Sequence, residues 1–117
     1  MAYVDGFVLA VPRKSLEQYR KLAHMGARLW KKHGALQFRE CVGDDLKPAF
    51  GLSFPKLAKA KAGETVFFSF IVFKSRAHRD KVNAAVMKDP AMQGMPPTMP
   101  FDVKSMAYGG FKVFVEA

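Results

Sequence analysis

TVFFSFIVFK, residues 65–74, is the stretch whose reading decides the fold. Four phenylalanines with Val66, Ile71 and Val72 make it rich in the aromatic and β-branched side chains that suit a pleated, packed surface. Successive side chains of a strand point to opposite faces, so apolar residues at odd and even positions alike put apolar surface on both. Such a strand belongs in the middle of a sheet that is covered on each side.

Working outward, Ser75 can cap a helix that runs to about Lys88 and stops at Asp89-Pro90. Val82, Ala85 and Val86 form its apolar stripe. Ala91 to Phe101 holds Pro96, Pro97 and Pro100 and reads as a mobile loop. Ala107 to Val115 is a further strand, in which Gly109-Gly110 marks a bulge or a close backbone approach. Upstream, Gly43 to Gly63 has no clean period and reads as an excursion with one helical turn near Lys56 to Lys61. Ala35 to Val42 alternates, with Leu36, Phe38, Glu40 and Val42 on one face and Gln37, Arg39 and Cys41 on the other. Before it, Ser15 and Gln18 form a capping box for an amphipathic helix. That helix carries Leu16, Tyr19, Leu22, Ala23, Gly26, Leu29 and Trp30 on its apolar side, and Gly34 stops it. Tyr3 to Val11 is the first strand, closed by Pro12.

The order is therefore β-α-β-β-α-β. With right-handed crossovers this is a ferredoxin-like α+β fold, a four-stranded antiparallel sheet with both helices on one face. Residues 1–117 read as one domain, since a chain of this length builds a single core. The uncovered face of a sheet whose central strand is apolar on both sides needs a partner, and a homodimer supplies one.

Composition narrows the rest. A single cysteine, Cys41, excludes an internal disulfide, and no signal-like segment opens the chain, so the expected compartment is the reducing cytoplasm. Val66 to Phe73 is the longest apolar run and is too short to span a bilayer. The net charge of +9 invites an RNA partner or an anionic ligand. Lys and Arg are dispersed, however, without a basic tail or Arg/Gly repeat, and a solvated surface accounts for them more simply.

The runs YVDGF (3–7), HGALQFRECVGDD (33–45), SRAHRDKVNAAVM (75–87) and MPFDVKSMAYGGF (99–111) resemble the YbaA-like bacterial family, domain-of-unknown-function family 1428. The resemblance spans nearly the whole chain. It implies a ferredoxin-like protomer paired face to face as a dimeric α+β barrel, and it brings no assigned activity. The same barrel occurs in antibiotic-biosynthesis-type monooxygenases and chlorite-dismutase relatives, an analogy that points to a small-molecule pocket between sheet and helices.

Three histidines are candidates for proton chemistry. His24 falls in the basic stripe of the first helix. His78 turns toward the sheet beside Val82 and Ala85 and is the candidate acid or base, with Arg76 and Arg79 as contacts for an anionic group. His33, Trp30 and Phe70 are the expected pocket lining. A buried structural histidine is the simpler reading of both His33 and His78. Asp44 and Asp45 lack metal-ligand spacing, Gly109-Gly110 lacks the helix of a phosphate loop, and no metal or cofactor is expected. Cys41 is an inert small hydrophobe. The leading reading is a dimeric protein that binds a small anionic or aromatic ligand. One alternative is an RNA-binding module that uses Arg20, Lys21, Arg28, Lys31 and Lys32; another is a partner-binding protein without a pocket.

Overall fold

The computed structural model describes residues 1–117. The central strand is present as β3, Glu64–Phe73, and the elements around it follow the expected order: β1 Tyr3–Pro12, α1 Leu16–Lys32, β2 Gln37–Val42, α2 Phe54–Leu57, α3 Arg76–Lys88 and β4 Ala107–Lys112. The sheet runs β2-β3-β1-β4 with every neighbouring pair antiparallel, which is the ferredoxin-like α+β arrangement. Its two central strands pair along their whole length, Tyr3 opposite Phe73 through Pro12 opposite Glu64.

One sheet face lies beneath the helices. Tyr3, Ile71 and Phe73 pack there with Leu29 of α1 and Val82 and Val86 of α3. Leu9, Val11 and Tyr19 form a second group toward the start of α1. Phe73 and Val86 are wholly buried, and full burial of such a side chain contributes about 1.5–3 kcal/mol. The two helices are tied together by Trp30, whose Nε1 donates to Asn83 Oδ1 at 3.0 Å.

Helix ends follow local chemistry with one exception. Ser75 caps α3, its Oγ accepting from the His78 amide at 3.1 Å, and Gly34 closes α1 with φ +113°, a left-handed conformation that a Cβ disfavours. The capping box at Ser15 does not form. Residues Arg13–Ser15 make a short 3-10 turn that feeds into α1, so the Ser15 side chain accepts no helix amide. Pro12 and the bond from Arg13 N to Gly63 O fix that turn and leave Ser15 already bent toward the helix.

Three further expectations are corrected. The helical turn of the excursion lies at Phe54–Leu57, earlier than the Lys/Ala run, because Ser53 caps it and Pro55 sits in its first turn. The excursion also covers part of the second sheet face: Ala58 is wholly buried against Val8, Ala10 and Val66, with Leu46 and Ala60 beside it. Finally, β4 ends at Lys112 and contains no bulge. Its register with β1 is continuous, and Gly110 is a close approach, since a Cβ there would run into the Tyr3 ring. The rest of the second face is more open, with Phe68, met edge-on by Phe54, 45% and Phe111 63% exposed. No helix is long and apolar enough to cross a membrane.

Candidate functional site

The first half of α1 does not close tightly on the sheet. Tyr19, Gly26 and Leu29 reach it, while Leu22, Ala23 and Trp30 border a cleft of about 230 Å³. Phe7, Leu9 and Phe38 form its sheet side, and Met95, Met99, Phe101 and Met106 border it from the segment before β4. Gly26 lets the Phe38 and Trp30 rings come up against the helix backbone, Phe38 to 3.4 Å from the position where a Gly26 Cβ would be. Methionines, which are unbranched and adaptable, suit the border of such a gap.

One polar group interrupts this apolar lining. Glu40 of β2 stands directly opposite Ser69 of β3, and both face the helices. Tyr19 Oη donates to Glu40 Oε1 at 2.5 Å and Ser69 Oγ donates to the same oxygen at 2.6 Å. Glu40 Oε2 has no partner in the chain and is not sealed from solvent. Burial, and then the bond to Glu40, push the Tyr19 hydroxyl far above its ordinary pKa, so the phenol stays protonated and serves as a donor. Tyr19 is held by Phe67, with ring centroids 4.6 Å apart, and by an edge-on contact with Phe101 at 5.9 Å.

A second groove of about 410 Å³ lies between α1 and β2, bordered by Leu16, Arg20, His24 and Val42. It shares Tyr19, Ala23, Phe38 and Glu40 with the first cleft, so the carboxylate sits where the two meet. Chemically this is an apolar slot with one ionisable acceptor that two neutral hydroxyls hold in place.

Of the residues singled out in the sequence, Trp30 and Phe70 border the cleft. The Phe70 ring, however, shares the opposite sheet face with Phe68, 6.1 Å away. The others are dispersed. His78 lines none of the clefts around α1; its Nδ1 accepts from the Lys74 amide at 2.9 Å and its ring meets Phe73 edge-on. Arg76 is exposed. Arg79 donates to the buried Asp5 and to Asp80, both at 2.8 Å, and its guanidinium lies 4.9 Å from the centre of the Tyr3 ring. Burial raises the Asp5 carboxyl above its usual range despite the pull of Arg79 in the other direction. His33 Nε2 lies 2.7 Å from Asp89 Oδ2, an oxygen that also accepts from Lys32. The Ala91 amide, followed by Lys32 and His33, holds the Asp89 carboxyl well below the usual range. These contacts join the ends of the two long helices and the turn after α3.

The basic stripe of α1 is partly engaged. Arg20 pairs with Glu17, Lys31 bonds Leu36 O and Lys32 bonds Asp89. Asp44, Asp45 and Cys41 are exposed, and no three metal-ligating side chains gather anywhere in the chain. Sequence reasoning passed over Glu40 and Tyr19 as a site. The available signal was the carboxylate at position 40, sitting in the alternation on the same face as Phe38 and Val42.

Residues 2–103 match a family described as "Protein of unknown function (DUF1428)". The chain is 41% identical over 116 residues to the uncharacterized protein YbaA of Escherichia coli K12, with 99% of each chain covered, and to the same degree to YbaA of Shigella flexneri. Among solved structures, a dimeric ferredoxin-like protein from an uncultured marine organism superposes with a TM-score of 0.57 at 14% identity, covering 100% of both chains.

Proposed function

The chain belongs to the DUF1428 family, and from that premise we propose that it binds a small, largely apolar ligand in the cleft between α1 and the sheet. The observation that carries this reading is the cleft itself, an apolar space bordered by Trp30, Phe38 and three methionines and containing one fixed carboxylate. Few polar groups in a concave apolar lining is the usual composition of a small-molecule site. Trp30 is the only tryptophan in the chain and borders the cleft, so it reports occupancy directly. Titration with a small arene such as ethylbenzene should change Trp30 emission saturably, and Ala23→Phe, which fills the space where the clefts meet, should abolish the change. No saturable change in the wild type, or the same change in a folded Ala23→Phe variant, refutes the reading.

The ligand-binding unit is a homodimer. Phe68 and Phe111 leave an apolar patch on the open sheet face, which the excursion covers around Val8, Ala10 and Val66 and touches at Phe68 only through the edge-on ring of Phe54. The marine protein of the same fold is described as dimeric, which supports the same arrangement here. We read residues 1–117 as one folding unit, because all four strands share one sheet, and place the protein in the cytoplasm, where the exposed Cys41 stays reduced. Sedimentation of Phe68→Glu should show monomers where the wild type shows dimers; a monomeric wild type at high concentration refutes the dimer.

A further inference from the structure

We infer that the cleft selects ligands with an aromatic body and a hydrogen-bond donor head, an amine or a phenol, whose head bonds Glu40 Oε2. The inference rests on the proposed cleft and adds the polarity of its occupant. It runs against the charge of the whole chain. At +9 the molecule as a unit attracts anions, yet the ionised group that opens into the space under α1 is a carboxylate. Arg39 also borders the cleft, but strand alternation sends its side chain to the opposite face with Phe70. Arg20, at the neighbouring groove, is exposed and paired with Glu17.

The arrangement of protons sets the selectivity. Tyr19 and Ser69 both spend their hydroxyl hydrogens on Oε1, leaving neither free to donate to an anion. Oε2, unbonded and accessible, can only accept. A carboxylate or phosphate ligand would meet like charge there, without a donor to compensate. An ammonium or phenol head completes the acceptor, while Phe38 and Trp30 border the space left for the body. The cross-strand pairing of Glu40 with Ser69 on rigid backbone and the packing of Tyr19 against Phe67 hold the acceptor in position before any ligand arrives.

The test compares four probes of similar size by calorimetry and Trp30 emission: 2-phenylethylamine, 4-ethylphenol, 3-phenylpropionate and ethylbenzene. The amine and the phenol should bind the wild type more tightly than ethylbenzene, and the carboxylate more weakly. The amine and phenol arms separate a cationic from a neutral donor, and tighter binding of either one supports the inference. Glu40→Gln keeps the shape of the side chain; it should weaken the amine by about tenfold or more, as expected for loss of a charge-assisted bond, and leave ethylbenzene within about twofold. Carboxylate binding as tight as that of the amine overturns the donor assignment and leaves the cleft standing. A Glu40→Gln variant that weakens all four probes equally does the same, by showing that Glu40 only shapes the site. Failure of every probe to bind the wild type overturns the cleft and the donor assignment together.

Discussion

Replacing Tyr19 with Phe removes one hydroxyl from a tightly packed place and leaves the ring among Leu9, Val11 and Phe67. At neutral pH the loss is the bond to Glu40 Oε1, 2.5 Å long and made to an ionised acceptor, for which about 1.5–3 kcal/mol is typical. Ser69 still serves the same oxygen, so the lower part of that range, about 1.5–2 kcal/mol, is expected. The pH dependence is more diagnostic. The folded-state pKa of Tyr19 lies above its unfolded value of 10.0, so the phenol is protonated in both states below that value and its contribution is fully present there. Above it the unfolded chain releases the proton and the folded chain does not, and the wild type loses about 1.4 kcal/mol per pH unit that Tyr19→Phe cannot lose. Urea unfolding from about pH 8 to about pH 11.5 should therefore show the wild-type advantage holding to about pH 10 and closing near the top of the range. An advantage that stays constant across the whole range refutes the claim that burial and Glu40 hold this phenol protonated.

Three other outcomes are expected. Asp89 is held ionised, so its contribution is present above the usual carboxylate range and lost as pH falls through its lowered value; Asp89→Asn should flatten the acid limb of a stability–pH curve, and an unchanged limb would remove Asp89 from the account. Gly110→Ala should destabilise by about 1–3 kcal/mol, since its Cβ runs into the Tyr3 ring, whereas the same change at Gly109, which has no such neighbour, should cost clearly less in thermal unfolding. Arg79→Met strands the buried Asp5 carboxylate and should cost about 3 kcal/mol, with Asp5→Asn added to it recovering part of the loss; no recovery in the double variant argues against a direct pair.

The fold was legible because its signals are local and agree with one another. The doubly apolar run at 65–74, the amphipathic period from Leu16 to Trp30, the Gly34 stop and the Ser75 cap each point to the element observed there. The misreadings occur where two distant segments settle the outcome. Ser15 looked like a cap, but the bond between Arg13 and Gly63 bends the chain first. The excursion showed no clean period beyond one helical turn, yet Ala58 finds a wholly buried seat on Val8 and Val66, which no pattern within residues 43–63 announces. The residues favoured for a site fared unevenly for the same reason. Angular position puts His78 on the inner side of α3, but the partner its ring takes is the backbone of Lys74.

Taken alone, the order of residues determined which segments become strands and helices, their sequence in the chain and the need for an apolar cover on both sides of β3, because these follow from periodicity, capping and composition within each segment. Only the tertiary structure decided that Tyr19, Glu40 and Ser69 share one hydrogen-bonded oxygen beneath α1, while His33 and Arg79 spend their charge on Asp89 and Asp5. Positions 19, 40 and 69 are neighbours through strand register and helix packing, and a hydrogen bond between side chains so far apart in the chain depends on that three-dimensional register, which leaves no local pattern to read.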